Sequence, residues 1–149
     1  MTGAAAERFV VFNLRLLAAT FALVGVLFIA APDGVLGARD DLGEWLPLGG
    51  FDAAPETLEQ LWLALGFAYM VVIAGICLVV QADVVRYRPL LLVLAAGKAA
   101  SSLAALGFYL FDADVFAYLL NFVVDGFLAA VSLWLWSLAG RVGAPAAPS

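Results

Sequence analysis

The sequence has 149 residues, of which 66% are hydrophobic and 13% charged, and its formal net charge is −5. Soluble proteins carry roughly 45–50% apolar and about 25% charged residues, so this composition indicates an integral membrane protein. The chain has no histidine and one cysteine, Cys77. These counts exclude an intrachain disulfide and histidine-based zinc or acid–base chemistry, and the few scattered basic residues exclude a nucleic-acid-binding surface. No cofactor or metal site is predicted.

Four charge-poor segments are long enough to cross a bilayer as helices, because a hydrocarbon core about 30 Å thick needs around 20 helical residues. Such runs are too long for buried strands and lack the alternating polarity of outer-membrane barrel strands. The sequence therefore predicts an all-α fold, an integral membrane four-helix bundle formed by a single domain over residues 1–142. The predicted transmembrane spans are residues 9–32, 57–82, 89–111 and 115–140.

The connections between the spans carry local signals of their own. Residues 33–56 form a long acidic loop, and residues 143–149 form a small-residue, proline-containing tail that is predicted to be disordered. Pro89 suits the first turn of the third helix, and Asp112 or Asp114 is placed to cap the fourth. The short connections after the second and third spans make spans two to four antiparallel neighbours.

The first span has one competing interpretation, a cleaved signal peptide that ends near Ala30 and Ala31. Its amino-terminal region is only weakly basic, since Glu7 lies beside Arg8. Its apolar run also slightly exceeds the length of about 7–15 residues that is usual for a signal peptide. We therefore expect a retained transmembrane helix.

Basic residues determine the predicted orientation, because they favour the cytoplasmic side of a membrane whereas acidic residues have little effect. The loop at 33–56 holds one basic residue, Arg39, and the turn between spans three and four holds none. Both chain termini are therefore predicted to face the cytoplasm. Residue usage rich in Ala, Gly and Val is compatible with a GC-rich bacterium, so the predicted location is a bacterial cytoplasmic membrane. The basic residues assigned to the cytoplasmic side are Arg8, Arg15, Arg86, Arg88 and Arg141.

Two ionisable residues lie inside the predicted spans, Lys98 in the third and Asp125 in the fourth. Counted from the turn between these spans, they lie about 22 and 18 Å along their helices, near the middle of the membrane. Charges at that depth are costly, so the two residues are expected to pair, either directly or through a serine. Ser101 is expected to lie level with Asp125. The polar cluster predicted around the pair consists of Asn121, Ser101, Ser102 and Tyr69.

Small residues surround Lys98 along the third span, and such rows let helix backbones approach closely within a membrane. The third span is therefore predicted to contact at least two other helices. The two rows are Gly97, Ser101 and Ala105, and Ala96, Ala100 and Ala104.

Two interpretations of the Lys98–Asp125 pair remain open. It is either a buried ion pair that fixes the register of the helices, or a polar site in which Lys98 binds an anionic or carbonyl group. The first favours a structural or accessory membrane subunit that docks another membrane protein or a second copy of itself. The alternative is a small-molecule or proton-handling membrane protein, transporter-like and oligomeric, that uses Lys98, Asp125 and Asn121. An intramembrane enzyme is the least favoured class, because the sequence offers neither a nucleophile–base pair nor a set of metal ligands.

Overall fold

The computed structural model of the protein describes residues 3–30, 59–112 and 114–142, and these residues form four α-helices. Each helix is long and apolar enough to cross a membrane, which confirms the predicted all-α fold of four membrane-spanning helices. The predicted acidic loop and the predicted tail lie outside the described residues. The helices are α1 (Gly3–Ala30), α2 (Glu59–Ala82), α3 (Pro89–Phe111) and α4 (Phe116–Val142).

Helix α1 begins six residues before the predicted start of the first span. Its first turns lie beside the end of α4, where a Cβ atom on Gly3 would be 3.3 Å from the carbonyl oxygen of Val142. These added turns carry the exposed side chains of Glu7 and Arg8. The helix therefore extends beyond its uncharged segment because neighbouring backbone supports its first turn and its charged residues point outward.

The four helices pack as two antiparallel pairs that together close a ring. Helix α1 packs along α2, and α3 packs along α4, while smaller contacts join α1 to α4 and α2 to α3. A glycine marks a close approach within each pair. A Cβ atom on Gly25 would be 3.1 Å from the Cβ of Met70, and one on Gly126 would be 3.1 Å from the Ser102 hydroxyl. Small residues thus let the paired helices meet closely, as in other membrane bundles.

The turn between α2 and α3 is short and hydrogen-bonded. The backbone N–H of Arg86 donates to the Asp83 carboxylate over 2.9 Å, and the N–H of Tyr87 donates to the Asp83 carbonyl. Pro89 then occupies the first turn of α3, as predicted. Asp112, one of the two residues expected to cap α4, lies at the end of α3, where its backbone N–H donates to the carbonyl of Phe108.

Arg88 fastens this turn to the end of α4. Its Nε donates a 2.9 Å hydrogen bond to the carbonyl of Trp136, and its guanidinium lies 4.2 Å from the centre of the indole ring. A Cβ atom on Gly140 would come within 2.8 Å of the guanidinium, so any other residue here would require the Arg88 side chain to move. The start of α1, the α2–α3 turn and the end of α4 therefore lie at one end of the bundle, which we call the basic end.

Apolar side chains fill the bundle between the basic end and the middle of the helices. They include Cys77, which is fully buried as a small apolar residue. This packed region borders the charged pair on one side. The members of the core are Val10, Leu14, Ala18, Phe21, Ile73, Cys77, Val80, Val84, Leu91, Leu94, Leu135, Leu138 and Ala139.

Candidate functional site

The two charged residues within the spans meet directly at the centre of the bundle. The Nζ atom of Lys98 lies 2.8 Å from Oδ1 of Asp125 and donates a hydrogen bond to it. Lys98 is only 2% exposed and Asp125 only 5% exposed. The pair is a hydrogen-bonded ion pair, which is the geometry in which opposite charges best offset the cost of leaving water.

The ammonium group of Lys98 also contacts aromatic rings from the other two helices. Its Nζ atom lies 4.8 Å from the ring centre of Phe21 on α1 and 5.0 Å from that of Tyr69 on α2. Both distances fall within the range of cation–π attraction, which strengthens where water is excluded. One side chain of α3 therefore binds to all three other helices.

Glycine and serine next to the pair make these contacts possible. A Cβ atom on Gly97 would be 3.3 Å from the Tyr69 hydroxyl, so the missing side chain gives the tyrosine room beside Lys98. On the other side, the hydroxyl of Ser102 donates a 2.7 Å hydrogen bond to the carbonyl of Phe122. Throughout the described residues, every fully buried side-chain nitrogen or oxygen has a hydrogen-bond partner.

Ser101 contacts a residue of α4 one turn away from the one it was expected to face. Ser101 was expected to lie level with Asp125, but its hydroxyl instead accepts a 3.2 Å hydrogen bond from the amide nitrogen of Asn121. Ser101 lies three residues after Lys98 on α3, and Asn121 lies four residues before Asp125 on α4, as expected for contacts between antiparallel helices. Lys98 therefore faces Asp125 directly, and no serine is needed to bridge them.

The predicted polar cluster is divided between the inside and the outside of the bundle. Lys98, Asp125 and Ser102 are buried, whereas Asn121 is exposed and contacts Ser101 rather than the ion pair. Successive helical turns do not superpose, since four residues rotate the helix by about 400°. Asn121 is therefore displaced around α4 from Asp125, which turns it out of the core.

Tyr69 is half-buried and joins the site through its ring rather than through its hydroxyl. It was expected in the polar cluster around the pair, but among the described residues its hydroxyl has no hydrogen-bond partner.

Phe21 is the contact that sequence reasoning missed. It belongs to a buried stripe with Val10 and Leu14, at separations of four and seven residues, which is typical of the core-facing side of a helix. That stripe indicates burial. It does not reveal which residue of α3 the ring contacts.

The chemistry available to the site is that of a neutralised pair. The described part of the chain holds no group of three or more metal-ligating side chains. Lys98 is held by a carboxylate and two rings, and it is the largest of the fully buried side chains. Its ammonium group therefore has little access to a further ligand.

Comparisons with known proteins identify no relative of this chain. No protein-family model matches it, no curated protein is significantly similar to it, and no solved structure shows a significant likeness.

Proposed function

We propose that this protein is a structural or accessory membrane subunit, a helical body that docks a membrane partner and has no substrate of its own. The observation that carries the proposal is the closed environment of Lys98. Its charge is satisfied by Asp125, Phe21 and Tyr69, and it is 2% exposed. A transport or catalytic site needs a group that remains available to its substrate, whereas a lysine bound to all other helices stabilises their arrangement.

One observation favours the alternative, a proton-handling protein. Asp125 accepts its hydrogen bond through Oδ1 alone, and the Tyr69 hydroxyl has no partner within the described residues. A carboxylate oxygen and a hydroxyl with spare hydrogen-bonding capacity are groups that could pass a proton in the middle of a membrane. In this alternative the ion pair is essential for activity. In the structural role, apolar residues at both positions can replace it without loss of function.

The exposed side of α3 supports docking of another helix. Ala96, Ala100 and Ala104 form a row of small residues on this side, and all three are exposed. Asn121 lies beside Ser101 at the adjoining edge, and its amide is also exposed. Small residues permit close helix approach in lipid, and an exposed amide favours a hydrogen bond across helices. We infer that the partner is another membrane protein or a second copy of this chain.

The deciding experiment compares the parent protein with the double variant Lys98→Met/Asp125→Leu in proteoliposomes that carry a proton or a chloride gradient. We expect both proteins to fold and to leave both gradients decaying as in protein-free vesicles. Folding is checked by circular dichroism. A flux through the parent that the folded double variant loses would overturn the structural role and establish the proton- or ion-handling one.

We further propose that the bundle lies in a bacterial cytoplasmic membrane with its basic end facing the cytoplasm. The support is the gathering of basic side chains at that end, which is the usual cytoplasmic bias. Single cysteines test this orientation in a Cys77→Ser background. A cysteine at Gly49 should react with an impermeant thiol reagent in intact cells, and one at Ser149 should not. The opposite pattern would reverse the orientation.

A further inference from the structure

A shallow groove runs along the outer side of α1 near the basic end. Its lining combines charged and apolar side chains: Glu7, Arg8, Val11, Phe12 and Arg15. Arg8 and Arg15 are two helical turns apart on the same side, and Phe12 lies between them with 64% of its surface exposed. A transmembrane helix thus presents two guanidinium groups and an aromatic ring to its surroundings at one end of the bundle.

Within the described residues, these two arginines differ from Lys98 and Arg88 in having no protein partner. Lys98 is paired with Asp125, and Arg88 binds the backbone and ring of Trp136. Among the described residues, neither Arg8 nor Arg15 forms a salt bridge. An exposed arginine inside a membrane span needs an anion or water to compensate its charge.

The two arginines are attached to α1 at different heights but line the same groove. Arg15 is attached about 10 Å further along the helix than Arg8, at 1.5 Å per residue. Side chains of a helix point back toward its amino terminus, which here is the basic end. The Cα–Cβ bond of Arg15 is therefore tilted toward the membrane surface and toward the position of Arg8, and its side chain lines the groove together with Val11 and Phe12.

We propose that this groove binds an anionic phospholipid, with the phosphate held by Arg8 and Arg15 and an acyl chain lying along Val11 and Phe12. Arginine suits this role because its planar guanidinium donates paired hydrogen bonds to phosphate oxygens. The exposed Phe12 ring favours a lipid over a soluble anion, since only a lipid brings an apolar chain with its charge. Glu7 lines the same groove and opposes binding by its negative charge.

The test measures lipid binding to the purified full chain in detergent by native mass spectrometry. Phosphatidylglycerol and phosphatidylcholine with identical acyl chains are compared. We expect tighter binding of phosphatidylglycerol, and a loss of about fivefold for Arg8→Gln or Arg15→Gln, the size expected for one basic side chain at a membrane surface. Glu7→Gln should strengthen binding, because it removes the repulsive charge.

Arg86→Gln is the matched control, because Arg86 is an exposed arginine at the same end of the bundle but outside the groove. It should leave the affinity for phosphatidylglycerol within twofold of that of the parent. Equal affinity for the two lipids, or an equal loss in Arg86→Gln and Arg15→Gln, would overturn the proposal. Displacement of the lipid by an equal concentration of inorganic phosphate would also overturn it, because the acyl chain would then contribute nothing.

Discussion

Of the polar contacts that join helices α3 and α4, two lie one turn apart and have opposite surroundings. The Lys98–Asp125 pair is buried at the centre of the bundle, whereas the Ser101–Asn121 contact lies at its outer edge. The depth of the two contacts differs by only about 5 Å, one turn of helix. The direction of a side chain around the helix axis, rather than its depth, therefore determines whether it belongs to the core.

The two contacts also satisfy their polar groups to different degrees. Lys98 has a carboxylate and two aromatic rings around its charge, so these three contacts offset the free-energy cost of removing the charge from water. Asn121 donates to Ser101, but its carbonyl oxygen accepts no hydrogen bond from any residue in the described ranges. The buried contact thus stabilises the fold of one chain, whereas the exposed contact leaves the Asn121 carbonyl oxygen able to accept a hydrogen bond from a second chain.

The largest expected effect comes from breaking the buried contact. Lys98→Met or Asp125→Leu leaves one charge without its partner in a low-dielectric interior. Each should lower the free energy of unfolding by about 3–5 kcal/mol, whereas the double variant should recover most of that loss. Unfolding of the purified protein in mixed micelles with increasing dodecyl sulfate measures all three.

Asn121→Leu is the control for this cycle, because it removes a polar side chain from the same helix one turn away. We expect it to change the free energy of unfolding by less than about 0.5 kcal/mol, as is usual for an exposed position. If the single and double variants of the pair are as stable as the parent, the ion pair does not hold the bundle together.

The sequence was sufficient for the fold and for the identity of the buried pair. Four long uncharged segments have few alternatives in a membrane, and Lys98 and Asp125 are the two ionisable groups near its middle. The sequence does not determine which residues of neighbouring helices meet, or how each helix is rotated about its own axis. Whether Asn121 points inward, or whether Ser101 lies opposite Asp125, depends on how α4 rotates as it packs on α3. Phe21 approaches Lys98 across a large chain separation, for which the sequence carries no local signal.

A smaller effect distinguishes the two serines of α3. Ser102 is buried and donates to the Phe122 carbonyl, whereas Ser101 is only partly buried and accepts from Asn121. Ser102→Ala should cost about 0.6 kcal/mol and at most about 1.7 kcal/mol, the average and the maximum measured for hydrogen bonds between membrane helices. Ser101→Ala should cost less than about 0.5 kcal/mol by the same unfolding assay. Equal losses at the two positions would mean that burial does not separate these contacts.

The exposed contact should instead affect association between chains. If the free carbonyl of Asn121 pairs with a second copy, Asn121→Leu should weaken self-association by about threefold to tenfold while folding is unchanged, because an interhelical hydrogen bond in lipid contributes on the order of 1 kcal/mol. Energy transfer between donor- and acceptor-labelled chains in vesicles measures this change. Ser102→Ala is the matched control, since its hydroxyl is buried within one chain and should leave energy transfer as it is in the parent. Unchanged transfer in Asn121→Leu would exclude a second copy as the partner at this face.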